Sequence, residues 1–184
     1  MKVIAIDPGT TQSAVVAIDS ETLKPLEALI QPNEAIRRNL YEMPYVWNCV
    51  GVIEMVASYG MPVGKEVFET VVWIGRFYEA INMRFFRAAE FVYRREEKLH
   101  ICGSPRANDA NIRRALIDRF AEHDFRTGRG TKKNPDFFYG FKADMWAAYA
   151  VGLTYIETKM TKAQHTKGVA EEHEKRSRFF GRRT

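Results

Sequence analysis

Cysteine is scarce in this chain of 184 residues: Cys49 and Cys102 stand alone, without the paired spacing of a metal knuckle or a disulfide framework. Both read as small core residues. Long apolar runs are missing too. No stretch approaches the roughly 20 residues needed to span a bilayer, and the opening MKVIAID has neither the h-region nor the cleavage site of a signal peptide. A cytoplasmic protein with no membrane partner is expected. None of the four histidines has a neighbour at the spacing of a ligand pair or a nucleophile–base pair, and His100 falls within a strand-like pattern. Chemistry resting on imidazole is therefore set aside. There is no internal repeat.

What is present is the composition of an ordinary globule, 46% hydrophobic and 28% charged, in a length that suits one well-buried domain. The net charge of +5 has a layout: from Lys159 to Thr184 there are eight Lys or Arg against three Glu, so the tail carries the whole excess. Such a tail suits a polyanion such as nucleic acid, and it is equally what a solvated terminus looks like. The expected organisation is a domain over residues 1–158 followed by a basic tail, 159–184.

Val3–Asp7, Ala14–Asp19 and a weaker run at Glu27–Gln31 predict three successive strands, punctuated by Pro8-Gly9 and by Ser20–Lys24. A helix is predicted over Glu34–Glu42, and VGVIEM, ending near Glu54, predicts a strand buried on both faces. Lys65 to Phe86 has apolar residues at helical spacing. Strand signals recur at Phe91–Tyr93 and Lys98–Ile101, and Ser104-Pro105 reads as the start of a helix running through DANIRRALIDRF. After a polar loop at Thr127–Pro135, the small-residue-rich ADMWAAYAVGLTYIE predicts a helix able to lie close against a sheet. Strands first, then strands alternating with helices, predict an α/β domain with a mixed sheet.

Three acids stand in unusual places. Asp7 ends the first strand, Glu54 ends a buried strand and Asp144 begins an apolar helix. An ionised carboxylate among apolar runs costs several kcal/mol unless paired, and a divalent cation held by hard oxygens from separate elements would supply the partner. Singly, Glu54 beside a lysine or Asp144 as a helix-start residue has a simpler explanation. The trio is the signal.

IAIDPGTTQSAVVAID, the glutamate of GVIEM, KLHICGSPRANDANIRRALIDRF and KADMWAAYAVGLTY together resemble the RuvC-type Holliday junction resolvases of the RNase H-like superfamily, particularly versions carried by bacteriophages. The resemblance spans residues 1–158. It implies an RNase H-like mixed five-stranded sheet flanked by helices, and a homodimer that cuts four-way DNA junctions with Mg²⁺, or Mn²⁺, as a pair of ions. It also implies that Asp7, Glu54 and Asp144 are the catalytic metal ligands. One departure matters: the family's last helix carries two ligands three residues apart, whereas this chain pairs Asp144 with Ala147 or with Phe141. A second metal site would then be weak, completed by DNA, or supplied by another residue such as Asp136 or, less simply, Asp118.

Phosphate contacts should dominate junction binding. The candidates are Thr10, Lys65 at a helix start, Arg94, Arg95 and Lys98 around one strand, Arg106 and Arg113 near another helix start, Arg129, Lys132 and Lys133 in the polar loop, and Lys142 beside Asp144. Trp73, Phe77 and Tyr78 suit core or a dimer interface. Three other readings stand, one of them the same nuclease acting on flaps, replication forks or RNA–DNA hybrids. IDPGTTQS also resembles the phosphate-binding hairpin of actin-like ATPases, although the second hairpin of that fold is missing, and the missing ligand would suit a non-catalytic junction-binding protein on the same scaffold.

Overall fold

The computed structural model describes residues 1–44, 47–58, 60, 62–85 and 87–160. Most of the basic tail, residues 161–184, lies outside the described residues. In chain order the elements are β1 (Lys2–Asp7), β2 (Gln12–Asp19), β3 (Pro25–Pro32), α1 (Asn33–Glu42), β4 (Cys49–Met55), α2 (Lys65–Arg84), β5 (Glu90–Tyr93), α3 (Arg94–Cys102), α4 (Asp109–Phe120) and α5 (Met145–Tyr155). The five strands form one sheet in the order β3-β2-β1-β4-β5. The first three are an antiparallel meander, and β4 and β5 add in parallel with β1. This is the mixed five-stranded sheet expected.

Side-chain alternation along the strands sorts the core into two layers. Val3, Ala5, Val50, Val52 and Val92 face α5 and α4. Ile6 and Ile53, one residue out of phase, pack with Ile36 and Leu40 of α1 and with Ile74, Phe77 and Ile81 of α2. Helix α5 is buried around almost its whole circumference and lies directly on the sheet. A Cβ added at Gly152 would fall 2.5 Å from Ile18 Cδ1 and 2.9 Å from Ala5 Cβ. The missing side chain is what lets the helix approach. Cys49 is buried as expected, whereas Cys102 is only half-buried.

Two elements differ from expectation. Lys98–Ile101 is part of helix α3 rather than a strand. The Glu96 carboxylate accepts from the Tyr93 backbone N–H at 2.7 Å to cap the helix start, and Gly103 closes its end in the left-handed conformation. Ser104-Pro105 begins a turn, not a helix; α4 starts later, where Asn108 and Asn111 each accept from the other's backbone N–H.

Between α4 and α5, residues 121–141 contain no long helix or strand and are organised by two carboxylates. The Asp136 side chain is fully buried and accepts from the N–H groups of Glu122, His123, Asp124 and Phe137 at 2.5–3.1 Å. Burial works against its charge, yet these donors hold it well below the usual carboxylate range. Asp124 accepts from Arg126, Thr127 and Gly130. Phe138 and Phe141 fasten the segment to Trp146 and Tyr149 of α5. Asp136 is therefore a scaffold residue, not the substitute metal ligand anticipated.

Gly152→Ala should lower stability by on the order of 1 kcal/mol in urea denaturation, because overpacking against β1 outweighs alanine's better helix propensity. Asp136→Ala should cost about 2 kcal/mol or more, since four backbone donors lose their acceptor. Wild-type stability from this carboxylate is present above the unfolded-state pKa near 4 and should fade as pH drops through its depressed folded value.

Candidate functional site

The parallel pairing of β1 with β4 runs from Lys2 opposite Cys49 to Ile6 opposite Ile53. The next rung sets Asp7 beside Glu54. Both residues share the phase of Val3, Ala5, Val50 and Val52, so both face the layer beneath α3 and α5. Their carboxyl groups are in hydrogen-bonding contact. On the far side of β4, Val92 stands opposite Glu54. Two residues later α3 begins, and its first turn is directed at the acids.

Arg94 and Glu97, one helical turn apart, bring a cation and a third carboxylate. Arg94 Nη1 lies 2.9 Å from Glu97 Oε2 and 3.7 Å from Glu54 Oε2, while Nη2 bonds Asp109 at the start of α4. Glu97 is fully buried, and its Oε1 has no hydrogen-bond partner. Asp144 occupies the residue before α5, is exposed, and lies near enough to act on Asp7 electrostatically. Ala143 just before it has φ of 39°, a conformation that alanine rarely adopts.

Burial chiefly, then the charge and hydrogen bond of Glu54, raise the Asp7 carboxyl to about 9; Arg94 opposes this and Asp144 adds to it. Burial also raises Glu54, against the pull of Arg94 and the hydrogen bond from Asp7. The pair thus keeps a proton that the two carboxyls share. Glu97 is raised well above the usual range, by burial and by the charge of Glu54. Arg94 stays charged despite burial because Glu54, Glu97 and Asp109 surround it.

Among the described residues no three His, Cys, Asp or Glu side chains converge tightly enough to cage an ion as they stand. The chemistry of the cluster nevertheless fits a divalent cation. A proton is retained between two buried carboxyls, an arginine fills the cationic role, and a buried carboxylate oxygen is left over. Asp7 and Glu54 could hold Mg²⁺ or Mn²⁺ on replacing that proton, with Asp144 at the solvent side.

The turn that follows Asp7 is fixed by a relay the sequence reading missed. Gly9 N–H donates to Ser13 Oγ at 3.1 Å, Ser13 Oγ to Asn33 Oδ1 at 2.6 Å, and Asn33 Nδ2 back to Gly9 O at 2.9 Å. A Cβ at Gly9 would strike Gln12 O at 2.4 Å. Ser13 and Asn33 are both buried polar residues. Polar side chains at inward-facing positions of a strand and a helix start were the available signal.

The anticipated phosphate contacts scatter. Arg94, assigned to DNA, is instead held by three carboxylates, and it lies with Arg95 and Lys98 on a helix, not around a strand. Lys98 is half-buried, and its charge acts on Glu54. Arg113 stacks over the Trp146 ring at 4.8 Å. Arg106 lies exposed in the turn before α4, and Lys65 is exposed at the start of α2, paired with Glu69 at 3.1 Å. Thr10 is half-buried in the β1–β2 turn, and Arg129 is half-buried at the base of the turn whose tip exposes Lys132 and Lys133. Lys142 is exposed two residues before Asp144. Asp118, the other substitute considered, pairs with Arg114 on an exposed face of α4. His100 contacts Glu157 at 2.7 Å from α3.

A raised folded-state pKa means that Asp7 costs the cation-free protein stability as pH climbs from the unfolded value near 4 toward about 9. In EDTA, Asp7→Asn should therefore raise the urea midpoint relative to wild type at pH 8. The gap should close toward pH 4.

No protein-family model matches the chain, and no curated protein matches it by sequence. Solved structures do. The Thermus thermophilus RuvC structure superposes with a TM-score of 0.58 at 15% identity, covering 88% of this chain and 97% of that one. T. thermophilus RuvC in complex with Holliday junction substrate gives 0.57 at 13% identity, covering 88% and 96%. The chain thus has the RuvC-like, RNase H-like α/β fold.

Proposed function

We propose that this protein is a divalent-metal-dependent endonuclease of branched DNA, with four-way junctions as its substrate. The observation that carries this reading is the pair of hydrogen-bonded carboxyls, Asp7 and Glu54, placed side by side by parallel strands, with Asp144 nearby on the last helix. The resemblance to RuvC in fold, including the form bound to a Holliday junction, supports the choice of substrate. The likeness to bacteriophage versions rests on the sequence motifs alone.

In this reading Asp7, Glu54 and Asp144 would hold Mg²⁺ or Mn²⁺, and the chemistry such an ion would supply is activation of water and stabilisation of the leaving 3′ oxygen. The chain's own residues do the rest. Asp7 gives up its proton on loading, Lys98 and Lys142 balance phosphate charge, and the exposed Lys132 and Lys133 hold the DNA backbone. An apolar patch at the start of α2, Phe68, Val71 and Val72, is exposed. It supports a homodimer, and two-fold symmetry would yield paired nicks.

A second reading is favoured by the looseness of the acidic cluster: a junction-binding protein that does not cut. Synthetic four-way junctions, forks and linear duplex separate the two. Wild type with Mg²⁺ or Mn²⁺ should cleave the junction, and Asp7→Asn should bind it but lose cutting by about a thousandfold or more, as expected for removal of a metal ligand from the reacting centre. Junction binding that persists in EDTA, with no product at any metal concentration, would establish the binder. An ATP titration by calorimetry tests the ATPase-like reading, with no heat expected.

Replacing Lys132 and Lys133 together by Ala should weaken junction binding and reduce the slope of log K against log salt by about 2.

A further inference from the structure

We infer that Glu97 is an additional cation ligand of this site, reaching it from α3 and standing in for the carboxylate that the last helix lacks. The inference rests on the reading of Asp7 and Glu54 as cation-binding residues.

Three observations lead to Glu97. Its side chain is fully buried, a rare state for glutamate, and Arg94 Nη1 engages only Oε2. Oε1 is buried with no hydrogen-bond partner. An oxygen left in this state loses hydration without recovering a bond, which proteins avoid unless something else completes it. Lastly, the charges that act on this carboxyl are those of the site: Glu54, Asp7 and the contacting Arg94.

A purely structural partner for Arg94 would not need this arrangement. Arg94 already has the exposed Asp109 and the largely buried Glu54, so a third, fully buried carboxyl is more than a single guanidinium needs. That extra carboxyl lies within reach of the charges of Glu54 and Asp7. A divalent cation there would draw on carboxyls from three elements, β1, β4 and α3, which must close on it from their present spacing, with Asp144 at the rim. Near Asp144 on the last helix, Phe141 and Ala147 occupy the places where the family's second acid would stand.

Mn²⁺ binding measured by calorimetry and by electron paramagnetic resonance, with no DNA present, tests this. Glu97→Gln keeps the volume and can still accept from Arg94. It should weaken Mn²⁺ affinity about tenfold or more and shrink the rise in Tm that Mn²⁺ produces. Unchanged affinity in Glu97→Gln, with binding abolished in Asp7→Asn, overturns the inference and leaves the site reading standing. Unchanged affinity in both variants overturns the site reading as well. Arg94→Gln against Arg94→Gln/Glu97→Gln repeats the comparison without the guanidinium, and decides the matter if the single Glu97 variant does not fold. Equal affinities in that pair would mean that Glu97 acts only through Arg94, and the inference would fail.

Discussion

Two parallel strands that end together put like charges together. Because β1 and β4 run in the same direction with Ile6 opposite Ile53, the next residues, Asp7 and Glu54, have no freedom to part. Both lie on the sheet face that α5 covers, where water is scarce. Two ionised carboxylates in contact in such a place repel with an energy that even a favourable effective dielectric leaves at several kcal/mol. Something positive must therefore be present, whether a proton, a guanidinium or a metal ion. Most features of this end of the molecule follow from that requirement.

Helix α3 provides part of the answer. It starts one residue after β5 ends, so its first turn is delivered to the same sheet edge. There Arg94 faces Glu54 and Glu97, while Asp109 in the first turn of α4 holds the other side of the guanidinium. An acid at a helix start is favourably placed in its own right, so Asp109 serves two purposes. The network joins β4, α3 and α4 through one arginine. It also explains why Arg94 is a poor candidate for phosphate: any DNA contact would have to compete with three carboxylates already in place.

The β1–β2 hairpin, the buried β4, the long α2 and the close-packed α5 were legible because each has a strong local signature: alternation, a continuous apolar run, helical periodicity, or small residues on a helix. The acids at strand ends were legible for the same reason, as breaks in apolar pattern. What escaped was set by partners distant in sequence. Lys98–Ile101 reads as a strand on its own, but Glu96 and Gly103 cap it as a helix. Glu97 sat in a charged run that resembles a solvated face, and its burial arises only once α3 folds back on the sheet. Asp136 likewise drew notice as a spare acid, when its four backbone donors come from a chain reversal that composition does not encode.

Asp144 differs from the other two acids, and the difference has a consequence for how the site works. It is exposed, so it bears little desolvation cost, and it projects from the end of a helix that is itself locked to the sheet through Gly152 and the aromatic contacts of Phe138 and Phe141. Its immediate predecessor, Ala143, holds a positive φ. Strain of this kind persists only where surrounding packing enforces it, and here the enforcement comes from anchored segments on both sides. Asp7 and Glu54 are thus fixed by strand register and Asp144 by a rigid helix and a strained lead-in. Under the proposed reading, any adjustment to a cation would fall to side-chain rotation around Arg94, which Glu54, Glu97 and Asp109 hold, rather than to movement of the backbone.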